Sequence, residues 1–383
     1  MRETPGSVRG VSIGVDARAL HSTGVGRYLR EVLAGLFLDP RFGRVVLLGD
    51  PEPLAAFAAE HGVAGRVTIH PFPRGWRARR AQLGWAALAA RGHTRADVWF
   101  FPFTEVPVLM HPRRSVVTVH DLIPLKVPEL AGARLRVATR VALYVGAGLA
   151  RSVIAVSEST RRDIVECMPR VADKVEVVHS GVGPAFRPPS PAEEDGCAPA
   201  AAHHPFVLCV GNRYPHKNLR AAVDALALLR AEGRPLTLVV AGGEPDSCWG
   251  EVVRHAEALG VKDAVVDLGR VTDAELRCLY ARCTAFLFPS FYEGFGFPVL
   301  EAMACGAPVI ASDRSSIPEV VGDAGFLVDP ADPRAMAAAV RRLEEEPALR
   351  ADCVRGGLRQ AARFTWADTT KRTADILYRT AVA

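Results

Sequence analysis

Phe288-Pro-Ser-Phe-Tyr-Glu-Gly-Phe-Gly-Phe-Pro-Val-Leu-Glu-Ala-Met-Ala-Cys-Gly-Ala-Pro-Val-Ile-Ala311 is the stretch from which the rest of the chain can be read. The apolar run Ala285–Phe288 predicts a buried strand, and it opens into a loop carrying Gly294 and Gly296 before a helix that starts at Pro298. Proline suits a first helical turn, where its missing N–H costs nothing. Gly306 is placed to stop the helix, and Pro308 keeps it from continuing into the next strand, which starts at Val309. A strand, a glycine loop and a helix N-terminus together turn free N–H groups and the positive end of a helix dipole toward one spot, which suits an anion. Glu293 and Glu301 bracket that spot, and each carboxylate can accept hydrogen bonds from hydroxyls.

Working outward, a strand, Phe206–Val210, leads into Gly211-Asn-Arg-Tyr-Pro-His-Lys-Asn-Leu, which supplies a cation, Lys217, on a loop after a strand. Further strands are expected at Leu236–Ala241, Ala264–Leu268, Val309–Ala311 and Phe326–Val328, each separated by a helix or turn. A lysine ammonium and a helix N-terminus can neutralise a diphosphate, while carboxylates hold sugar or ribose hydroxyls. That combination describes a nucleotide-sugar site. Asp-x-Asp is absent and no Asp or His cluster has ligand spacing, so no metal is expected.

The first half alternates short apolar strands with helical patterns, as βαβ units do. Strands are expected at Val11–Val15, Val45–Gly49, Val67–Phe72, Asp97–Phe101, Val116–His120, Val153–Val156 and Val175–His179. Gly24 and Gly26 precede a helix that runs to about Phe37; Leu29 stands where a dinucleotide fingerprint has its third glycine, so that reading fails. The loop either faces a phosphate or merely turns the chain. His120-Asp121 closes the fifth strand, at the end where parallel sheets collect ligands; the histidine is either a structural group or part of a site. Arg74 to Arg80 opens a helical stretch to Ala90 with Leu83, Trp85 and Leu88; it suits an anionic membrane surface or a phosphorylated acceptor, or else is a solvated helix face with tryptophans in the core. Arg134, Arg136 and Arg140 make a similar basic face.

Between Arg187 and Pro205 the patterning gives way to Pro, Ala, Glu and His, so residues 188–204 are expected to link a domain of 1–187 to one of 205–366, with the last helix, 367–383, packing back on the first. At 383 residues the chain is long for one core, which agrees with two domains. The net charge of +5 is unevenly spread: residues 1–187 hold 26 Lys/Arg and 16 Asp/Glu, or +10, leaving 21 and 26, or −5, for the remainder. No apolar run approaches the ~20 residues of a membrane helix. No signal peptide is visible, and eight scattered cysteines are read as free thiols in a reducing cytoplasm, with contact at the inner face of a membrane expected through the basic half.

Glu293-Gly-Phe-Gly-Phe-Pro-Val-Leu-Glu301 resembles the Glu-x7-Glu signature of retaining family 4 glycosyltransferases of the GT-B fold, an α/β architecture of two Rossmann-like parallel-sheet domains facing across a cleft, which implies that 1–187 binds the acceptor and 205–366 the nucleotide-sugar donor. Gly211–Leu219, Val119-His-Asp-Leu-Ile-Pro, Val156-Ser-Glu-Ser-Thr, Gly24-Val-Gly-Arg-Tyr and Ser315-Ser-Ile-Pro-Glu-Val are similar to further landmarks of that family, in its order, across nearly the whole chain. The resemblance implies that Glu301 holds the ribose, and that Glu293 holds the donor sugar with N–H groups of Gly294, Phe295, Gly296 and Phe297. Lys217 binds the diphosphate, helped by Gly24 and Gly26; Arg213 is a second cation, since Asn212 stands where many relatives have arginine. Gly269-Arg270-Val271 lines the base pocket and His120 sits beside the donor sugar. Implied, too, is transfer of a hexose, mannose first, from a GDP- or UDP-linked donor to a saccharide, lipid-linked or small natural-product acceptor, with retention by attack on the leaving-group face, without a separate protein base or cofactor. A sugar-nucleotide 2-epimerase and a non-catalytic nucleotide-sugar-binding subunit share the architecture and stand as alternatives. Nucleic acid is not an expected partner.

Overall fold

The computed structural model describes residues 10–22, 24–72, 79–128, 131–190, 193, 203–243 and 247–383. Two parallel sheets organise it. The first has the order β3-β2-β1-β4-β5-β6-β7, from β1 (Val11–Asp16), β2 (Phe42–Gly49), β3 (Val67–Pro71), β4 (Val98–Phe101), β5 (Ser115–Val119), β6 (Ser152–Ala155) and β7 (Val175–Val177). The second has the order β10-β9-β8-β11-β12-β13, from β8 (Phe206–Val210), β9 (Thr237–Ala241), β10 (Val265–Asp267), β11 (Ala285–Phe288), β12 (Val309–Ser312) and β13 (Phe326–Val328).

The apolar runs explain this arrangement. Val98-Trp-Phe-Phe and Ala285-Phe-Leu-Phe are buried along their whole length because helices cover both faces of a parallel sheet, and a strand buried on both sides needs no polar alternation. Three of the four edge strands, β3, β10 and β13, have no fully buried residue, since each has a neighbour on one side only, and the fourth, β7, buries Val175 alone. In both sheets the strand order reverses once, between β1 and β4 and between β8 and β11. Ligands gather at the carboxyl ends of strands beside such a switch point.

The chain divides into two compact units. One comprises Met1–Leu125, Ala131–Gly181 and Trp366–Ala383; the other comprises Lys126–Leu130 and Val182–Thr365. The change of unit falls at Gly181–Val182, ahead of the Pro- and Ala-rich stretch, because Val182 already bonds to Phe364 O and pairs with Thr365. The terminal helix Trp366–Val382 belongs to the first unit. Its Thr369 Oγ1 donates to His179 O at 2.7 Å, and Arg372 Nη2 donates to Val177 O at 2.7 Å, while Ile376 and Leu377 are buried.

Cys167, Cys209, Cys248, Cys283, Cys305 and Cys353 carry free thiols, but Cys278 is disulfide-bonded, which corrects the reading of free thiols throughout. Proximity after folding decides such a pairing, and spacing in the chain does not report it. Among the described residues, no helix is long and apolar enough to cross a membrane.

Candidate functional site

In the second unit, the segments leaving β8 and β11, the two strands at the switch point, carry the expected site residues. After β8, Pro215–Lys217 forms a single 3₁₀ turn that ends at Asn218 in the left-handed conformation, with φ 53°. Asn218 is the residue type that best tolerates that region, and its amide donates to Pro330 O at 2.6 Å, which fixes the turn. Lys217 is thereby aimed at Glu293: Nζ lies 2.6 Å from Oε1, with both side chains mostly buried. The ammonium also sits 5.2 Å from the centre of the Phe288 ring, at the end of β11, where the ring's negative face favours a cation.

The loop after β11 is held by serines from beyond β12. Ser315 Oγ accepts from Glu293 N at 2.9 Å, and Ser316 Oγ contacts Glu293 O at 3.0 Å and Phe295 O at 2.8 Å. A helix spans Phe297–Ala304 with Pro298 in its first turn, one residue ahead of the start expected from the sequence. Gly296 caps it at φ 108°, a backbone region that favours glycine, and a Cβ there would lie 2.7 Å from Ile317 Cδ1, so the end of that side chain would have to move. Glu301, inside that helix, is buried and accepts from the Tyr280 hydroxyl at 3.2 Å.

Two further groups lie beside the ion pair. His216 is buried with no partner at Nδ1; burial, then the Lys217 charge, pulls its pKa down to about 4, so the ring is neutral. Ser290 Oγ is buried and also unpartnered. These groups, with Lys217 and Glu293, were placed by the two loops and not by any single motif.

Arg213 lies in the same unit, on the loop after β8. Read as a second diphosphate cation, it is a buried guanidinium paired with Asp267 and set over the Trp249 ring at 5.7 Å. Asp267 Oδ1 also accepts from Gly269 N at 2.8 Å, so the pair shapes the turn that carries the exposed Arg270.

His120, Gly24 and Gly26 belong to the first unit. His120 Nε2 lies 2.8 Å from Pro102 O, and since a carbonyl only accepts, Nε2 carries the proton. Its ring meets the edge of Tyr28 with centroids 4.9 Å apart. Burial lowers its pKa to about 4, so it too is neutral at physiological pH. Gly24 opens the helix Gly24–Leu38, and Gly26 has a packing reason: a Cβ would lie 2.8 Å from the carbonyl oxygens of Ala19 and Leu20.

Sequence reasoning assigned nothing to Asp16 and Arg18, at the end of β1. Arg18 Nη2 bonds Asp16 Oδ2 at 2.7 Å, and the guanidinium lies over Phe72 and Phe103 at 4.8 and 5.2 Å. The signal was available: polar residues directly after a buried strand, the same position that singled out His120. Residues 73–78, part of the basic stretch before Ala90, lie outside the described residues.

Residues 22–186 match the profile of Glycosyltransferase Family 4, and residues 198–360 match that of Glycosyl transferases group 1. O-antigen chain mannosyltransferase B of Escherichia coli is 35% identical over 271 residues, covering 68% of this chain and 69% of that protein. The chain belongs to glycosyltransferase family 4. The serotype-specific mannosyltransferase WbdA of Escherichia coli is 30% identical to this glycosyltransferase over 274 residues, which are 69% of the present chain and 33% of WbdA. Among solved structures, Anabaena HepE in complex with UDP and glucose superposes with a TM-score of 0.77 at 19% identity, covering 96% of this chain and 99% of that one. WaaG, a glycosyltransferase involved in lipopolysaccharide biosynthesis, gives 0.72 at 18% identity, with 96% and 99% covered. Both likenesses concern the fold, which is GT-B.

Proposed function

We propose that this glycosyltransferase moves a hexose, mannose first, from a nucleotide diphosphate sugar to an acceptor hydroxyl with retention at the anomeric carbon. The observation that carries the reading is the Lys217–Glu293 pair, 2.6 Å apart beside the start of the helix Phe297–Ala304. As the bond between the anomeric carbon and the diphosphate breaks, negative charge grows on the leaving oxygen. Lys217 and the N–H groups of Gly294 to Phe297 meet that charge in a site largely shielded from water, where fixed dipoles count for more than in bulk solvent. Glu293 accepts hydrogen bonds from donor-sugar hydroxyls, and Glu301, steadied by Tyr280, accepts from the ribose. The acceptor proton passes to the departing phosphate on the same face, so no protein base takes part. His120, neutral at physiological pH, gives its one N–H to Pro102 O, which leaves Nδ1 to accept a hydrogen bond from a hydroxyl. The names of the mannosyltransferase relatives support mannose, and the UDP complex of HepE keeps UDP donors in the comparison. Basic side chains on the helix Ala133–Leu149 support peripheral contact with an anionic membrane.

The test is incubation with GDP- and UDP-sugars, with and without saccharide acceptors, following nucleotide release and the anomeric configuration of the product. Lys217→Ala and Glu293→Ala should each lower transfer about a hundredfold, the scale of one transition-state electrostatic contact of ~3 kcal/mol. EDTA should leave the rate unchanged. Isomerised donor in the absence of acceptor, an inverted product, or unchanged transfer in both variants would sink the reading.

A further inference from the structure

Tyr28 is fully buried inside the first unit, on the helix Gly24–Leu38. The close approach of Gly26 to the carbonyl oxygens of Ala19 and Leu20 fixes where that helix starts, and with it where Tyr28 falls against β5. Thr118 and His120, two residues apart at the end of β5, turn their side chains to the same side of the strand. Tyr28 meets both. Its hydroxyl lies 3.1 Å from Thr118 Oγ1, and its ring stands at 85° to the His120 ring with centroids 4.9 Å apart.

The hydroxyl is tied at a second point. Thr373, on the terminal helix Trp366–Val382, donates its own proton to Thr369 O at 2.8 Å, so its oxygen is left to accept. The Tyr28 hydroxyl bonds to Thr373 as well, which makes the phenol the donor to Thr373 and the acceptor from Thr118. Burial pushes the phenol pKa up to about 12, so the direction of this chain holds at physiological pH. Trp366 stands against the same ring, with centroids 6.3 Å apart. Tyr28 is thus gripped by its own helix, by β5 and by the terminal helix.

His120 needs such a neighbour. Its Nε2–H bond to Pro102 O is a single point of attachment, about which an imidazole can still turn. A perpendicular ring packed against it removes that freedom, since aromatic pairs favour the edge-to-face arrangement. Together the two contacts fix the direction of the Nδ1 lone pair. We propose that Tyr28 is a positioning residue for glycosyl transfer, holding the His120 imidazole so that Nδ1 presents its lone pair to a substrate hydroxyl, a role that rests on His120's place in the transfer reading. An acceptor already aimed at its hydroxyl spares the reaction the loss of orientational freedom on the way to the transition state.

Nitrogen NMR of the full chain carrying labelled histidine reports the ring directly, with His120→Gln identifying the signal by its loss. At neutral pH, wild-type His120 should show one tautomer, with Nε2 protonated and Nδ1 bare. In Tyr28→Met, which fills the space with a flexible side chain, the two nitrogen shifts should move toward each other as the tautomers mix. That variant should also lower kcat about tenfold with little change in the donor KM, and Tyr28→Phe, which keeps the ring, should retain most of kcat. In a His120→Ala background, Tyr28→Met should cost less than about a further twofold, whereas a tyrosine that merely packs would cost the same in both backgrounds. A wild-type signal averaged over both tautomers, an unmoved signal in Tyr28→Met, or equal losses of kcat in the two backgrounds overturns the inference, and the first of these needs no variant to fold. Transfer at the wild-type rate by His120→Ala would overturn the role in transfer together with His120's own, while the spectrum still decides whether Tyr28 holds the ring.

Discussion

His120 sits at the carboxyl end of β5 with its proton on Nε2 and its ring against Tyr28, and the fold holds it uncharged. Its pKa falls from an ordinary 6.5 to about 4 because burial penalises the imidazolium. In the unfolded chain the same side chain takes up a proton near pH 6.5, so between pH 6.5 and 4 the unfolded state binds more protons than the folded one. Stability therefore is fully present above pH 6.5 and declines as the pH falls toward 4, by about 1 kcal/mol for this group at pH 5.5. His216, lowered to the same value, adds a similar slope in the other unit. Urea midpoints measured from pH 7.5 to 4.5 should show the decline, and His120→Gln, which keeps a donor for Pro102 O, should flatten it. An unaltered slope in that variant would mean that the ring titrates normally.

At the scale of elements, the helix Phe297–Ala304 depends on how its first turn is entered. Gly296→Ala places a side chain at φ 108° and drives Cβ against Ile317 Cδ1. The left-handed conformation alone costs an alanine on the order of 1–2 kcal/mol, and the clash adds to it. The variant should melt earlier and bind UDP or GDP more weakly, because the N–H groups of the loop shift with the helix start. Adding Ile317→Val, which removes the methyl in the way, should recover part of both losses; wild-type melting and affinity in Gly296→Ala would contradict this account of the turn. The strand, the glycine loop, Pro298 and the stop at Gly306 were all legible in the sequence, since each is a local preference. Ser315 and Ser316 holding the loop were not, because that contact joins segments about twenty residues apart. Arg213 shows the same boundary. Read locally it is a cation on a loop after a strand, and only Asp267, brought alongside by β10 pairing with β9, shows that its charge is already matched.

At the scale of the whole molecule, the thirteen strands among the described residues could be read because parallel strands covered on both faces leave continuous apolar runs, and their alternation with helices implies two doubly wound sheets. The sheet orders, the change of unit at Gly181–Val182 and the disulfide at Cys278 depend on which segments meet, and composition carries no such record. Charge asymmetry, however, is legible over hundreds of residues, and it has a consequence on one surface. The +10 of residues 1–187 includes Arg136 and Arg140, one turn apart and exposed on the helix Ala133–Leu149, beside Leu135 at 52% exposure. Arginines interleaved with an exposed leucine suit the headgroups and outer acyl carbons of an anionic bilayer, at about 1 kcal/mol per basic residue near the surface. The protein should sediment with vesicles of phosphatidylglycerol and phosphatidylcholine at 0.05 M salt, and less at 0.5 M, where the screening length has shrunk to a few ångström. It should not sediment with phosphatidylcholine alone. Arg136→Glu/Arg140→Glu removes two attractions and adds two repulsions, so binding should fall at least tenfold. If that variant binds as well as the wild type, or if neutral vesicles are bound equally, these arginines do not meet a membrane and the charge of the first half serves another anion.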